Sequence, residues 1–501
     1  MKSLVLVSSL LLLGGGVYGR NAWEMSRSDR AAREADLAIR EEKRAKTSII
    51  VYDKQQMTAD DVAAEITRIE AKCVELECPC DVKNLRRIGV LEVTWNCDNH
   101  PSVDELGLDK TKETGAEDQI VEVSQNLPPP TDPKFADQWA LQDLANDADI
   151  NIAEGWEQYL DDEQGGSADG PSVIVAVIDT GVDYTHPDLK DVMWNNPDEI
   201  PDDGIDNDGN GIVDDYYGAD FTETTSGTGD PIDRNSHGTH CAGIIAASPS
   251  NGQGVAGVAS FTQGKVKIMA LKGLSDEGSG TISGLFACLE YAIEKNAKIS
   301  SNSWGGGTVN GLEEVWDQVL RNNLDDHLFV AAAGNSNMEI NDGYKSMTCG
   351  LKEPNLLCVG SSTSSDSRSS FSNYGTDYVH VMAPGSSILS TFPNNQYQSI
   401  SGTSMACPQV SGLAALLWTM RGDLTGPQVR QLIEANVQVK PQYAAYVSTS
   451  GLIDVGATIK ALKNGGAPNP EPPKCDYSQY CSVVDCTKEG AAALCPDQCS
   501  K

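Results

Sequence analysis

An almost wholly apolar run at 172–178 constrains the fold of this chain more than any other stretch. The run shows almost no alternation of polar and apolar positions, so both faces of the extended chain must be buried, as in a central strand of a parallel sheet. It ends in a carboxylate, Asp179, followed by Thr180 and Gly181. Because such a sheet needs helices on both of its faces, the flanking sequence should supply them.

Strand-like and helix-like patterns alternate between residues 171 and 464. Further strands are predicted at 265–271, 298–303, 327–333, 356–360 and 379–382. Helices are predicted at 237–247, 283–296, 312–324, 404–421 and 426–435. This alternation predicts an α/β fold with a doubly wound, mostly parallel sheet, in which functional residues gather at the carboxyl ends of the strands.

The charge balance narrows the possible partners. Acidic residues outnumber basic ones by 72 to 37, which gives a formal net charge of −35. Binding to nucleic acid depends on clustered Lys and Arg, so we expect no nucleic-acid partner. The acidic surface instead suits an environment that contains divalent cations.

The N-terminus has the pattern of a secretory signal peptide at residues 1–19, with Lys2, an apolar run at 4–13 and small residues up to Gly19. The apolar run is too short to span a bilayer, and no later segment reaches the roughly 18 apolar residues of a membrane helix. We therefore expect a protein that is secreted or lies in the lumen of the secretory pathway. The 14 cysteines behind such a peptide indicate disulfides.

A small α+β domain is predicted at about 47–126, after a charged arm at 20–46. Its cysteines are Cys73, Cys78, Cys80 and Cys97, enough for two bridges. Cys78 and Cys80 are too close in sequence to pair with each other, so each should pair elsewhere. The proline-rich stretch at 127–133 predicts an exposed, extended linker between domains.

The α/β domain is predicted to span 127–464. A Gly- and Pro-rich linker follows at 465–474. Residues 475–501 then form a cysteine-rich tail whose cysteines are odd in number, which leaves one thiol over. The tail distantly resembles small toxin-like modules, and either a docking role or removal during maturation remains open.

Ser404 stands at the start of the helix predicted at 404–421, within a stretch of small residues. A hydroxyl in that position lies beside unpaired backbone N–H groups and the positive end of the helix dipole, which favour negative charge. By itself Ser404 would be interpreted as a helix cap. Asp179 and His237 change this interpretation, because a serine nucleophile needs a base and a buried carboxylate that orients the base.

Asn335 follows the strand predicted at 327–333. Its side-chain N–H, with the backbone N–H of Ser404, can stabilise the oxyanion that forms during acyl transfer. Residues 402–406 do not match the Gly-x-Ser-x-Gly elbow of α/β-hydrolases, which removes the main competing arrangement.

Short motifs along the chain resemble those of the subtilisin-like serine proteases, in that family's order. They are residues 179–182 (Asp-Thr-Gly-Val), 237–243 (His-Gly-Thr-His-Cys-Ala-Gly), 303–305, 333–335 and 402–408. The order Asp, His, Ser is also that of subtilisin. The resemblance spans about residues 137–464 and implies a secreted serine endopeptidase, with Asp179, His237 and Ser404 as the triad and Asn335 as the oxyanion donor.

The resemblance also implies how a substrate binds. A peptide would add as an extended strand between two backbone segments. These segments are Ser303, Trp304 and Gly305 on one side and Gly278, Ser279 and Gly280 on the other. His240, by contrast, is expected to be structural.

Residues 20–126 are similar in place and pattern to the family's propeptide, with the inhibitory prodomain at about 47–126. The resemblance therefore implies a zymogen, inhibited by its own prodomain until cleavage, which we expect near Asn126–Leu127. The expected partners are protein or peptide substrates and this prodomain, and we expect a monomer.

An acidic loop predicts a structural Ca²⁺ site. Oxygen-bearing side chains alternate around a glycine turn as in the first half of an EF-hand loop, although position twelve is Tyr217 and not a glutamate. The candidate ligands are Asp206, Asp208, Asn210 and Asp214, with Asp215 beside them. Family similarity implies a second site through Gln138, Asp188 and Asn251. A solvated turn is the alternative.

Two other functions remain open at this point. One is a catalytically silent relative that serves as a binding scaffold, and the other is a processing protease specific for paired basic residues. Among the remaining cysteines, Cys349 and Cys358 are close enough to bridge one loop, and Cys241 and Cys407 should be buried thiols near the site.

Overall fold

The computed structural model describes residues 47–52, 59–78, 80–85, 90–95, 113–117, 129–142, 146, 148–162, 165, 167, 170–305 and 312–465. The chain divides into two compact units, Met1–Gln125 and Asn126–Lys501. The predictions for the signal peptide, the charged arm at 20–46, the linker at 465–474 apart from Gly465, and the cysteine-rich tail lie outside the described residues. No helix among the described residues is long and apolar enough to cross a membrane.

The first unit contains an antiparallel sheet of four strands in the order β2-β3-β1-β4. Its elements are β1 (Thr47–Tyr52), α1 (Ala59–Glu75), β2 (Cys80–Leu85), β3 (Val90–Trp95) and β4 (Glu113–Glu117). Cys73 of α1 is bonded to Cys80 of β2, and Cys78 is also disulfide-bonded. The prediction that Cys78 and Cys80 do not pair with each other is confirmed.

The second unit is built on a sheet of nine strands in the order β14-β15-β11-β10-β9-β8-β5-β7-β6. All neighbours are parallel except the short β14–β15 pair. The strands are β5 (Val173–Asp179), β6 (Gly218–Asp220), β7 (Val266–Lys272), β8 (Ile299–Asn302), β9 (Leu328–Ala332), β10 (Leu356–Ser362), β11 (Val381–Pro384), β14 (Gln438–Val439) and β15 (Gly451–Leu452). The predicted doubly wound, mostly parallel sheet is confirmed.

The helices that accompany this sheet are α2 (Ile152–Leu160), α3 (His237–Ala246), α4 (Ile282–Glu294), α5 (Glu313–Asn322), α6 (Thr403–Met420), α7 (Gly426–Ala435) and α8 (Val455–Lys463). Thr425 caps α7 through a capping box with Gln428. A hairpin of β12 (Ile388–Phe392) and β13 (Gln396–Ile400) precedes α6.

The alternation of side chains along β5 explains the apolar run. Ala176 and Ile178 lie in a core cluster on one face of the sheet. The apolar face of α4 lies in the same cluster, through Leu285, Cys288, Leu289 and Ala292. Val175 and Val177 are equally buried and point to the opposite face, because successive residues of a strand alternate. Since α6 packs against β5 and β8–β11, both faces of this strand are covered.

The strand order brings distant parts of the chain to one edge of the sheet. The chain places β7 on one side of β5 and β8 on the other, so the sheet changes winding direction beside β5. At such a switch point the carboxyl ends of the strands border a crevice. Asp179 ends β5, Ser303 follows β8 and Asn335 follows β9.

Two local predictions are corrected. The strand predicted at 379–382 runs at Val381–Pro384, because pairing with β10 aligns Val381 with Val359. The stretch 127–133 is not wholly exposed in its described part, since Asp132 is only 5% exposed. The Asp132 carboxylate accepts the N–H groups of residues 250–251 at 2.6 and 3.1 Å, which ties this stretch to the rest of the second unit.

Candidate active site

Asp179 is the last residue of β5, and its side chain is fully buried. Its Oδ1 accepts the N–H of Thr180 at 2.7 Å and His237 Nδ1 at 2.8 Å. Its Oδ2 is buried and has no hydrogen-bond partner among the described residues. A carboxylate in this position holds the imidazole proton on Nδ1 and leaves Nε2 as the base.

His237 is the first residue of α3, and its side chain is 29% exposed. The start of the helix lies close to the residues that follow β5. A Cβ on Gly238 would be only 2.1 Å from the Gly181 carbonyl oxygen, so the position requires glycine. Burial opposes protonation of the imidazole, but the charge and hydrogen bond of Asp179 and the charge of Asp233 outweigh burial and raise the pKa of His237. His237 is therefore a stronger base than an isolated imidazole.

Ser404 lies in the first turn of α6, which continues through Pro408. Pro408 has no N–H to donate to the carbonyl four residues earlier, so the Ser404 carbonyl is released from the helical ladder. Ser303 Oγ donates to this carbonyl at 2.9 Å, and Cys241 Sγ donates at 3.4 Å. The loss of a helical bond thus lets two side chains from other elements hold the Ser404 backbone in place.

The Ser404 hydroxyl donates to the Ser303 carbonyl oxygen at 2.9 Å. Within the described part of the chain, no hydrogen bond joins this hydroxyl to His237. Catalytic hydrogen bonds of this kind are often long in an enzyme without substrate and tighten only when substrate binds.

Asn335 is oriented by the residue that precedes Ser404. Its Oδ1 accepts the N–H and the hydroxyl of Thr403 at 2.9 and 3.0 Å. The Nδ2 donor of the amide lies beside the start of α6. A Cβ on Gly402, the residue before α6, would be 3.4 Å from Asn335 Nδ2. Gly334, which has a φ of 102°, allows the turn that places Asn335 there.

Two recesses lie side by side along the crevice. The one at His237, of about 500 Å³, is lined by Thr180, Asn235, His237, Leu274, Gly278, Ser279, Gly280, Ile282, Leu285, Ser303, Trp304, Gly305 and Met347. The one at Ser404, of about 270 Å³, is lined by Ser303, Trp304, Gly305, Ala332, Ala333, Gly334, Asn335, Ser336, Tyr344, Ser346, Asn373, Thr403 and Ser404. We call them the His237 recess and the Ser404 recess. The structure thus brings all six predicted substrate-binding residues to one crevice.

The predictions of one disulfide and two buried thiols near the crevice are confirmed. Cys349 and Cys358 form a disulfide, which joins the segment after Tyr344 to β10. Cys241 and Cys407 are buried free thiols. Burial raises the pKa of Cys241 well above its usual range and that of Cys407 to about 11, so neither thiol is a nucleophile at neutral pH.

His240 has a structural environment, as expected. Its Nε2 donates to the carbonyl oxygens of Ile388 and Gln398 at 3.0 and 2.9 Å, which fastens α3 to the β12–β13 hairpin. Burial lowers the pKa of His240 to about 4, so the ring is neutral at physiological pH.

The acidic loop brings two of its predicted ligands together. Carboxylate oxygens of Asp206, Asp208 and Glu199 lie within 4.8 Å of one another. Glu199 is 5% exposed, and its Oε2 has no hydrogen-bond partner in the part of the chain that the structure describes. A buried, unpaired carboxylate oxygen beside two other carboxylates fits a hard cation such as Ca²⁺.

The other predicted ligands of this loop have different partners. The Asp214 carboxylate accepts the N–H groups of residues 203–204 at 3.1 and 3.0 Å. Asn210 directs its Nδ2 to Asp208 and Asp215, at 3.2 and 2.7 Å, so its amide offers these carboxylates a donor and not an oxygen. Both side chains therefore hydrogen-bond to other residues of the acidic loop.

Lys295 also meets the acidic loop, with Nζ 2.5 Å from Asp208 Oδ2. Burial favours protonation of Asp208, but hydrogen bonds from Lys295 and Asn196 outweigh it and lower the pKa of that carboxyl. Asp208 is therefore ionised and paired at neutral pH.

The second predicted metal site is only partly assembled. Asp188 Oδ1 accepts Asn251 Nδ2 at 2.8 Å, which brings these two residues together. Gln138 instead exchanges both of its amide bonds with the backbone of Ala256, each at 2.8 Å.

Sequence reasoning missed two residues of these sites. Glu199 precedes the alternating acidic pattern, and only its acidic neighbour Asp198 could have drawn attention to it. Asp233 lies shortly before His237 and is one of many aspartates in the chain, so its burial beside the histidine is visible only in the fold.

Comparison with known proteins gives consistent results. The model of the subtilase family (peptidase S8) matches residues 170–466. Subtilisin-like protease 1 of Plasmodium falciparum (isolate 3D7) is 32% identical over 314 residues, which cover 58% of this chain and 44% of that protein. Thermitase of Thermoactinomyces vulgaris is 37% identical over 251 residues, which cover 50% of this chain and 76% of thermitase.

A solved structure of a protease from Pseudoalteromonas arctica has a TM-score of 0.50 and 26% identity, and covers 66% of this chain and 99% of that chain. The chain spans less than half the length of the Plasmodium relative, 44% by the aligned region. The family model, however, matches more than half of this chain and includes β5, α3 and α6 with their aspartate, histidine and serine. The chain therefore belongs to the subtilase family.

Proposed function

We propose that the protein is a secreted serine endopeptidase that hydrolyses peptide bonds through Asp179, His237 and Ser404 and an acyl-enzyme intermediate. The observation that carries this proposal is the 2.8 Å contact between His237 Nδ1 and Asp179 Oδ1, at the crevice that Ser404 also lines. Membership of the subtilase family supports it, since the Plasmodium relative is named a subtilisin-like protease.

In the proposed mechanism His237 Nε2 takes the Ser404 proton as the oxygen attacks the scissile carbonyl, and later gives that proton to the leaving amine. Asp179 stabilises the imidazolium that forms. Asn335 Nδ2 and the backbone N–H of Ser404 donate to the oxyanion. Water then attacks the acyl-enzyme with His237 as the base, which releases the acid product and restores Ser404.

A fluorophosphonate probe tests this proposal. An activated serine oxygen attacks the phosphorus of the probe and displaces fluoride, so the probe should label the purified protein by phosphonylation, and labelling should be absent in Ser404→Ala. Ser401→Ala is a matched control, because Ser401 is exposed and its hydroxyl accepts only the N–H of Ser387 among the bonds of the described residues. A catalytically silent scaffold, the alternative function, would leave all three proteins unlabelled.

The substrate would lie in the crevice as an extended strand. Residues 303–305 and 278–280 both line the His237 recess, so we expect a peptide to pair with the backbone of both segments. The residue before the scissile bond must place its carbonyl between Ser404 Oγ and Asn335 Nδ2, so its side chain enters the Ser404 recess. No acidic side chain lines that recess in the described part of the chain, which disfavours a protease specific for paired basic residues.

The domain at about 47–126 is proposed to be an inhibitory prodomain that is cleaved near Asn126–Leu127. Support comes from the division of the chain into units at 125–126 and from the α+β elements of the first unit. N-terminal sequencing of the secreted, active protein should find a start between residues 120 and 137. A start well outside this window, or activity of the uncleaved chain, would refute the zymogen.

Calcium is proposed as a structural cofactor held by Glu199, Asp206 and Asp208. The support is the cluster of their carboxylates and the unpaired Oε2 of Glu199 among the described residues. When bound, the ion would offset the repulsion among these carboxylates, one of which also pairs with Lys295, and so would hold the loop in its folded form.

A further inference from the structure

Asp233 is a carboxylate 4% exposed, in the turn just before α3. Its Oδ1 accepts Thr180 Oγ1 at 3.0 Å and the N–H groups of Asn235 and Ser236, both at 2.9 Å. Its Oδ2 accepts the N–H and the hydroxyl of Thr239 at 3.0 and 2.6 Å. One side chain therefore satisfies donors from three different stretches of the chain around the crevice.

The turn that Asp233 holds contains a strained residue. Ser236, immediately before His237, has a φ of 110° and a ψ of −20°, a backbone conformation that favours glycine. Strain of this kind persists only where the surrounding contacts enforce it. The Ser236 N–H is bonded to Asp233, so this carboxylate supplies part of the enforcement at the position from which the His237 side chain leaves the backbone.

The same carboxylate reaches the strand that carries Asp179. Thr180, the next residue, donates its hydroxyl to Asp233 and accepts the N–H of Gly238 at 3.0 Å. Asp233 and Thr180 thus link the residue after Asp179 to the residues on both sides of His237. This second connection runs alongside the 2.8 Å bond between His237 Nδ1 and Asp179 Oδ1 and joins the same two parts of the chain.

Asp233 also contributes a negative charge that faces His237. With Asp179 it is one of two carboxylates that favour the imidazolium over the neutral ring. The other charged or titratable groups nearby are His240 and Cys241 of α3, Arg234 of the preceding turn and Lys272 of β7. Arg234 pairs with the exposed Asp230, and Lys272 donates to the Thr180 carbonyl and to Asp276, so neither cation neutralises Asp233.

We propose that Asp233 is a positioning residue for catalysis, which holds the strained turn before His237 against the end of β5 and adds a second negative charge beside the imidazole. This role rests on the proposed endopeptidase function. It differs from plain structural support, because it requires that removal of the Asp233 charge change the protonation of His237 as well as the geometry.

Asp233→Asn tests the proposal, with Asp230→Asn as the matched control. Both variants remove one negative charge from the same turn, but the Asp230 side chain is 57% exposed and lies outside the network. For Asp233→Asn we expect kcat to fall by about tenfold or more with KM little changed, because a misplaced base slows the chemical step. We also expect the midpoint of the acid limb of kcat/KM to move to lower pH, and Asp230→Asn to keep the parental values.

A double variant separates geometry from charge. In Asp233→Asn/Ser236→Gly, glycine adopts the turn without enforcement, so kcat should recover in part while the acid limb stays shifted. Thr180→Ala keeps the Asp233 charge but breaks the hydrogen bonds from Thr180 Oγ1 to Asp233 and from the Gly238 N–H to Thr180 Oγ1, so it should lower kcat without moving the acid limb. If Asp233→Asn does not fold, the kcat of Thr180→Ala still tests the proposal.

Fluorophosphonate titration should accompany each assay, so that rates are expressed per competent site. If Asp233→Asn matches Asp230→Asn in both kcat and acid limb, or if Thr180→Ala has parental kcat, the proposal is wrong. NMR titration of His237 in the Ser404→Ala background, with and without Asp233→Asn, needs no activity. An unchanged His237 midpoint there would overturn the role of the Asp233 charge even if the parent protein proved not to be a protease.

Discussion

Ser303 and Ser404 hold each other through a reciprocal pair of hydrogen bonds. Ser303 Oγ donates to the Ser404 carbonyl oxygen, and Ser404 Oγ donates to the Ser303 carbonyl oxygen, each at 2.9 Å. The first bond exists because Pro408 leaves the Ser404 carbonyl without its helical donor. The start of α6 is therefore fastened to the end of β8, on the wall of the crevice that both residues line.

Ser303→Ala should lower the free energy of unfolding by about 1–3 kcal/mol, because among the described residues it leaves the Ser404 carbonyl with only the weak thiol donor of Cys241. We expect kcat to fall modestly with it, since the backbone of Ser404 loses a support. Thermal unfolding and steady-state kinetics measure the two effects. Ser401→Ala is the control, because Ser401 is exposed and its replacement should change neither quantity. Ser300→Ala is unsuitable, because Ser300 is itself buried and hydrogen-bonded.

Asn335→Asp removes the proposed oxyanion donor but keeps the Oδ1 acceptor for Thr403. We expect kcat to fall by about 10²–10³-fold with KM nearly constant, a magnitude found for one oxyanion donor in a subtilisin. Fluorophosphonate labelling should slow in parallel, and the melting temperature should stay close to that of the parent. A parental kcat would remove Asn335 from the mechanism.

Activity should fall on the acid side with a midpoint above 6.5, the ordinary pKa of histidine, because Asp179 and Asp233 raise the pKa of His237 against the effect of burial. The base must be neutral, so activity is present above the raised pKa and is lost as pH falls through it. The stability effect has the opposite sign, since a raised histidine pKa stabilises the fold at acid pH. A pH–rate profile with melting temperatures at each pH therefore distinguishes titration from unfolding.

Chelation should lower the melting temperature if Ca²⁺ binds at Glu199. A cation present at about 100 times its dissociation constant stabilises the fold by about 2.7 kcal/mol, and EDTA removes that increment. In Glu199→Gln the shift on adding EDTA should shrink, whereas Asp198→Asn, an exposed neighbour outside the cluster, should keep it. A transition in the parent that EDTA leaves unchanged would contradict the proposed site.

Peptides with Lys or Arg immediately before the scissile bond should be poor substrates. A cation in the Ser404 recess would lose water without meeting an acidic partner in the described lining. We expect uncharged residues there to be preferred by at least about tenfold in kcat/KM, equivalent to ~1.4 kcal/mol. Ser346→Asp places a carboxylate in the lining and should raise cleavage after basic residues, which a peptide library can measure.

Long, strongly patterned elements were predictable from local sequence. The helix predicted at 426–435 is confirmed as Gly426–Ala435, because the capping residue Thr425 and a helical apolar face mark it clearly. The β12–β13 hairpin was missed, since β13 is short and largely exposed. Its one local signal is the turn at 393–395, which contains Asn394 and Asn395; both have positive φ, a conformation that asparagine tolerates.

The sequence by itself determined the class of fold and which residues are chemically equipped to act, because strand periodicity, helix starts and a serine, histidine and aspartate in family order are local properties of the chain. Only the tertiary structure decided which atoms meet. It paired His237 with Asp179, bonded the Asn210 amide N–H and the Asp214 carboxylate to other residues of the acidic loop, added Glu199 to the carboxylate cluster, and placed Asp233 beside the histidine. The physical reason is that hydrogen-bond partners, burial and charge proximity depend on strand order and loop closure, which bring together residues far apart along the chain.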